Sequence, residues 1–282
     1  MKEIFLCAIN NVLSGTCHED CKFCTQSIKY KAKIQRYQYK DIQTIIDEAK
    51  AAHSVGALGY CLVTAGKGLD DTKCEYIAKI AYTLKQELPS LNLIACNGTA
   101  TKEQLRFLKQ HGIDSYNHNL ETSPNYYNQI CTTHDYQERL DTCESVKSAG
   151  LALCCGGIFG MGESATHRDE LLQIIKELNP SSMPINFYHP NPALPIKDSN
   201  ITFKEALGVI AKSKALLGDD KIIMVAGGRE LLFGGKEAQM YHAGANAIVI
   251  GDYLTTKGAS SNYDIITLKQ LGYKVATSCD TK

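Results

Sequence analysis

The chain has no tryptophan, seven prolines in 282 residues and no surplus of charge, thirty Lys and Arg standing against thirty Asp and Glu. The charge balance leaves no electrostatic footprint for nucleic acid or an anionic membrane. No Pro/Ser-rich linker or low-complexity segment divides the chain. No apolar run approaches the roughly 18 residues that suggest a membrane span. The opening segment, MKEIFLCAINNVLSG, lacks a signal-peptide core. The expectation is a cytoplasmic protein with one domain over 1–282, ending in a loosely structured tail at about 274–282.

Cysteine is what the chain has in excess: twelve, at 7, 17, 21, 24, 61, 74, 96, 131, 143, 154, 155 and 279. A disulfide framework suits a small secreted chain, and this one is neither small nor visibly secreted. In a reducing compartment clustered thiols suggest metal, while scattered ones also serve as small buried hydrophobes.

A short apolar strand followed by an amphipathic helix recurs along the chain. YCLVTA (60–65) precedes a helix at about 72–87. LNLIAC (91–96) precedes TKEQLRFLKQHG, which Thr101 can cap and Gly112 can end. SYNHN (115–119), LALCCGG (151–157), SMPINF (182–187), KIIMVAGG (221–228) and NAIVIGD (246–252) lead to helices at about 135–149, 165–178, 202–217, 229–242 and 263–271. A first strand near Ile4–Ile9 and a helix at about 41–54 complete eight units. Strand–helix alternation predicts a parallel sheet, and eight units predict an α/β fold of (β/α)8 TIM-barrel type. An open doubly wound sheet would show an early GxGxxG turn, which is absent. In a barrel, Cys61, Cys96, Asn117, Asn119, Cys154, Asn186 and Arg229 converge at the strand C-termini, the end where barrel active sites are built.

The sharpest motif is Cys17-His-Glu-Asp-Cys21-Lys-Phe-Cys24 in the first βα loop. Thiolates suit iron–sulfur clusters because sulfur is soft and polarizable. Three thiolates on a four-iron cubane leave one iron open to a cofactor, much as catalytic zinc keeps an open position. A structural zinc site would need a fourth donor. His18 is the nearest, but its adjacency to Cys17 makes joint ligation awkward.

SGTCHEDCKFCTQSIKYKA resembles the cluster loop of the radical S-adenosylmethionine (SAM) superfamily and, within it, of biotin synthases. The resemblance runs through 116–142 (YNHNLETSPNYYNQICTTHDYQERLDT), CCGGIFGMGE (154–163), SMPINF, AGGRE (226–230) and MYHAGANAIVIGDYLTT (240–256). It implies that Cys17, Cys21 and Cys24 hold a [4Fe–4S] cluster whose open iron chelates SAM. It implies sulfur insertion into dethiobiotin, started by a 5′-deoxyadenosyl radical. Phe23 would shield the cluster or face adenine, and Glu121 would meet the ribose. Arg139 would lie near the cofactor carboxylate, and Gly156 and Gly157 would leave room for its methionine end. Asn119 is placed with both cofactor and substrate. Asn117 and Asn119, two apart and so on one face of a strand, would bind the ureido ring with Asn186, since an amide both donates and accepts. His118 would then face the helices. Partners implied are a flavodoxin or ferredoxin electron donor and a second copy in a homodimer.

Cys61, Cys96 and Cys154 correspond to ligands of an auxiliary cluster that donates the sulfur, a [2Fe–2S] cluster whose fourth ligand is an arginine in the family pattern. Here AGGRE places Met224 at that position, which leaves a four-iron cluster with a terminal sulfide as the alternative. Cys155 should face away from Cys154 by strand alternation. Cys74 and Cys143 read as helix residues. Cys7 and Cys131 fit no pattern. The rival functions are another radical SAM barrel, such as an iron-hydrogenase maturase, and a non-catalytic iron–sulfur protein.

Overall fold

The computed structural model describes residues 2–278, so Cys279 lies outside the described residues. The elements run β1 (Glu3–Leu13), α1 (Ile42–Ser54), β2 (Gly59–Thr64), α2 (Asp71–Glu87), β3 (Asn92–Cys96), α3 (Lys102–Gln110), β4 (Ser115–Asn117), α4 (Pro124–Ile130), α5 (Tyr136–Ala149), β5 (Ala152–Cys154), β6 (Gly157–Phe159), α6 (Ala165–Leu178), β7 (Ser182–Phe187), α7 (Phe203–Leu217), β8 (Ile222–Val225), α8 (Arg229–Phe233), α9 (Ala238–His242), β9 (Ala247–Ile250), α10 (Ser261–Gln270) and β10 (Lys274–Val275).

Local chemistry explains most boundaries. Thr101 caps α3 through the Gln104 N–H while Gln104 returns the bond to Thr101, and Gly112 follows the helix with a φ of 103°. Along α2, Cys74, Ile77, Ala78, Ile80, Ala81 and Leu84 recur at helical spacing and are buried against the sheet. The stretch from 229 to 242, read as one helix, is two: Gly234 and Gly235 part α8 from α9, Gly235 with a φ of 75°. Helix α4, started by Pro124, is an addition to the expected list.

All strand pairings within the barrel are parallel, and β1 pairs with both β2 and β9, so the sheet closes. β5 and β6 share one position between β4 and β7, giving an eight-position barrel. Their break lies opposite Pro184: Cys154 pairs with Ser182 and Gly157 with Ile185. Proline has no N–H to give the ladder. Gly156 turns its own N–H to Asn119 Oδ1 at 3.1 Å.

The main core lies between the barrel's outer face and the helices. A smaller apolar cluster inside the barrel holds Cys7, Cys61, Val63, Ile94 and Cys154. Within the segment expected to be loose, Lys274–Val275 pairs with Glu3–Ile4, and Ala276 is buried. That short strand satisfies the backbone of the first residues of β1, which extend beyond β9. Among the described residues no helix is long and apolar enough to cross a membrane.

Candidate active site

The barrel mouth opens on a cavity of about 390 Å³. Its roof is the loop after β1. That loop is pinned to the α4–α5 turn: Asp20 accepts from the N–H groups of Thr132 (2.9 Å) and Thr133 (3.2 Å), and Lys22 N donates to Ile130 O (2.9 Å). Burial opposes ionisation of Asp20, but the Thr132 and Thr133 hydrogen bonds outweigh it and hold the carboxyl well below its usual range. Within the loop, Cys17 N donates to Gln26 O, Ile28 N to Cys17 O and Cys24 N to Cys21 O. The fold therefore fixes the backbone that presents all three thiols.

Phe23 and Cys24 line the cavity, while Cys17 and Cys21 are buried in the loop above it. Burial, and after it the neighbouring Cys17 charge, pushes Cys24 up to about 11, against hydrogen bonds that lower it. Cys21 is pushed up by its bond to Cys131, by burial and by the charge of Cys24 among others. Metal binding must displace these protons, and three mutually repelling thiolates need a polycation between them.

Below the loop the cavity is lined by Cys61, Cys96, Cys154, Asn117, Asn119, Glu121 and Asn186, together with Met224. Cys61 sits within β2, three residues before its end, and Cys96 and Cys154 end β3 and β5. Cys7 joins them from β1, a lumen residue that the sequence alone did not mark. Its thiol fills the space beside Gly59, where a Cβ would stand 3.2 Å from Cys7 Sγ. The signal was available in principle: Cys7 and Ile9 alternate on one face of a strand whose other face, with Leu6 and Ala8, packs under the helices.

Among the described residues, two polar atoms at this cavity are buried without a partner: Asn117 Oδ1 and Glu121 Oε2. Asn117 Nδ2 lies 3.4 Å from Cys96 Sγ. Burial raises Glu121, with Arg139 partly offsetting it at 3.7 Å. Such orphans are costly unless a ligand completes them. The amide of Asn186 is engaged on both ends, accepting from Gly227 N at 3.0 Å and donating to Gly157 O at 3.3 Å.

Arg139 stands behind the wall. It donates to Asn119 O (2.7 Å) and Tyr127 Oη (2.6 Å), and its Nη2 meets His134 Nε2 at 3.1 Å. Gly156 and Gly157 also belong to the wall. A Cβ at 156 would stand 1.8 Å from Pro184 O, and one at 157 would stand 2.7 Å from Glu121 O. Their small size lets backbones close on one another. His118 is buried off the cavity, and Cys155 faces α5, 3.9 Å from Cys143 Sγ. Arg229 is tied to Asp264 at 2.7 Å, away from the lumen.

A closed parallel barrel with a three-cysteine loop over its mouth defines a radical SAM enzyme. The Radical SAM superfamily model matches residues 11–165. The model of the Biotin and Thiamin Synthesis associated domain matches residues 184–274. The chain is 65% identical over 280 residues to the biotin synthase of a Sulfurovum species, covering 99% of this chain and 98% of that one. It is 54% identical to the biotin synthase of a Nitratiruptor species, over 98% and 99% of the two chains. The chain belongs to the biotin synthase family.

Solved structures agree on the fold alone. Methylornithine synthase superposes with a TM-score of 0.79 at 20% identity, covering 97% of this chain and 84% of that one. The FeFe-hydrogenase maturase HydG from Carboxydothermus hydrogenoformans gives 0.82 at 16%, covering 96% and 67%. The maturase alternative therefore shares the barrel, whereas the full-length identity points to biotin synthase. Family membership implies a [4Fe–4S] cluster, SAM, an auxiliary iron–sulfur cluster and dethiobiotin as substrate. The donor set fits them: a thiol trio on the roof loop, further thiols in the lumen, and unpartnered amide and carboxylate oxygens between.

Proposed function

We propose that Cys17, Cys21 and Cys24 hold the [4Fe–4S] cluster and that Cys61, Cys96 and Cys154 hold the auxiliary cluster, with dethiobiotin bound between them. With SAM at the loop cluster, these groups would supply a 5′-deoxyadenosyl radical from SAM for hydrogen abstraction and a sulfide from the auxiliary cluster for insertion. The chain's residues bind, orient and exclude water. Asn117 Oδ1 accepts a ureido N–H, and Asn119, its Oδ1 held by Gly156 N, adds its Nδ2 as a donor beside it. Asn186, already bonded on both ends, braces β6 and β7 against the Gly227 loop and offers the substrate a fixed edge. Glu121 accepts from the SAM ribose, and Phe23 covers the adenine side. Arg139 acts through Glu121 and Asn119, fixing both from behind. Gly156 and Gly157 shape the strand edge along which the methionine end lies. A flavodoxin or ferredoxin delivers the electron.

The single observation that carries this reading is one cavity lined by roof and lumen thiols, with the orphaned Asn117 Oδ1 and Glu121 Oε2 between them. At the auxiliary site Met224 supplies no guanidine, and Cys7 brings the lumenal thiols at this cavity to four. Four thiols would serve a two-iron or a four-iron cluster alike; the reading offered is a four-iron cluster on Cys61, Cys96 and Cys154 whose remaining iron carries a terminal sulfide, because position 224 brings no guanidine to complete the two-iron pattern.

The test is an anaerobic assay with dethiobiotin, SAM and a one-electron donor, reading biotin by mass. Biotin should form and should disappear in Cys154→Ala while 5′-deoxyadenosine is still made. Mössbauer spectra of the reconstituted protein decide the auxiliary cluster: a clear two-iron signature would end the four-iron reading.

A further inference from the structure

We propose that Cys21, Cys131 and His134 form a second metal site, for a single borderline divalent cation such as Zn²⁺, which shares Cys21 with the cluster loop. Cys131 is the C-cap of α4 and His134 lies just before the Asp135 cap of α5. Cys131 Sγ is 3.6 Å from Cys21 Sγ, and it is 3.3 Å from His134 Nδ1 and 3.8 Å from Nε2. One donor atom from each of the three residues lies within 4.8 Å of the others, and all three side chains are buried. Tetrahedral zinc, with Zn–S near 2.3 Å and Zn–N near 2.0–2.1 Å, has S···S edges of about 3.8 Å and S···N edges of about 3.6 Å. With Nε2 as the donor, the edges here are 3.6 Å for the two sulfurs and 3.8 Å from Cys131 Sγ to nitrogen, each about 0.2 Å from that face.

The surroundings support it. Glu19 Oε2 accepts from His134 Nδ1 at 2.8 Å, the carboxylate–imidazole pairing that leaves Nε2 as the ring's acceptor, the atom a metal would take. Arg139 Nη2 donates to Nε2 in this arrangement; a cation would take that place with the ring held by Glu19, and Arg139 keeps Asn119 O, Tyr127 and Glu121. The clamp of Asp20 on Thr132 and Thr133 fixes the turn against the loop, so the donors meet without folding anew. None of the three pairs is near in sequence except 131 and 134, and no part of the proposed reaction uses Cys131.

The consequence is exclusion. Cys21 cannot serve both sets, so a cation held by Cys131 and His134 blocks assembly of the loop cluster. That consequence rests on the cluster assignment above; the cation site itself does not.

The experiment uses the full chain, thiols reduced, stripped of iron and sulfide. Zinc is added stepwise and followed by zinc-edge X-ray absorption and by competition with a chromophoric chelator. Wild type should show an imidazole in the zinc shell. His134→Gln should lose it, and both His134→Gln and Cys131→Ser should bind this zinc at least about tenfold more weakly. Zinc added before iron and sulfide should cut iron uptake in wild type at least about twofold and leave Cys131→Ser nearly unaffected. No imidazole at any loading, imidazole retained in His134→Gln, or wild-type zinc affinity in both variants would overturn the site. Iron uptake without zinc is the control. If neither wild type nor Cys131→Ser takes up a SAM-responsive four-iron cluster, the cluster reading fails, and the zinc data still judge this site separately.

Discussion

Asn117 shows how one atom can define a residue's task. Its Nδ2 is directed at Cys96 Sγ, while its Oδ1 is buried at the cavity with no partner. A buried acceptor that gains a donor only from substrate contributes about 1 kcal/mol or somewhat more. Asn117→Ala should therefore raise the KM for dethiobiotin about tenfold and change kcat little. The check is biotin yield against dethiobiotin concentration at saturating SAM. An unmoved KM would remove the ureido contact from Asn117. The residue scale also shows what sequence spacing misses. Asn119 and Asn186 share its strand-end placement, yet Gly156 N takes Asn119 Oδ1, and Gly227 N and Gly157 O engage Asn186.

At the scale of elements, α2 hangs on its cap. Asp70 accepts from Lys73 N at 2.8 Å, and that bond, with burial opposing, holds its carboxyl below the usual range. Asp70→Ala should cost about 1 kcal/mol at neutral pH, measured by urea unfolding. A carboxyl with a lowered folded pKa stabilises above its unfolded value of about 3.9 and loses that contribution as pH falls through the lowered value. Asp70→Asn keeps a cap without the charge, so the gap between wild type and Asp70→Asn should narrow as pH is lowered from about 6 to about 3. A constant gap would show that the cap's ionisation contributes nothing. The β5–β6 break gives a second case. Because a Cβ at 156 meets Pro184 O at 1.8 Å, Gly156→Ala must part β6 from β7. The expected loss is about 3 kcal/mol or more, and a loss smaller than about 1 kcal/mol would show that the strands part freely.

For the whole molecule, the far side of the barrel depends on a buried ion pair. Arg229 follows β8 and Asp264 lies on α10, so their 2.7 Å contact ties two βα units together, with both side chains 3% exposed. Removing one partner strands a charge in the interior, at a cost of about 3–5 kcal/mol. Arg229→Ala should lose that much in urea unfolding, and Arg229→Ala/Asp264→Ala should recover part of it. A double variant no better than the single would place the effect in lost packing.

Sequence alone determined the barrel and the radical SAM class, which implies an iron–sulfur cluster. Alternating strands and helices have few ways to bury their apolar faces, and a period of two sends alternate strand residues to the lumen, so Cys61, Cys96, Cys154 and Asn117 were legible. The family was legible because its motifs are contiguous. Only the tertiary structure brought Cys7 beside the lumenal trio, moved Arg139 and the two glycines into the wall, and set Cys131 and His134 against Cys21. Cys21 and Cys131 are 110 residues apart, and the geometry at the loop and the wall follows from the Asp20 clamp and the Pro184 break. Neither has a periodic signature, because each depends on which loop backbone groups are left without a partner once the sheet has closed.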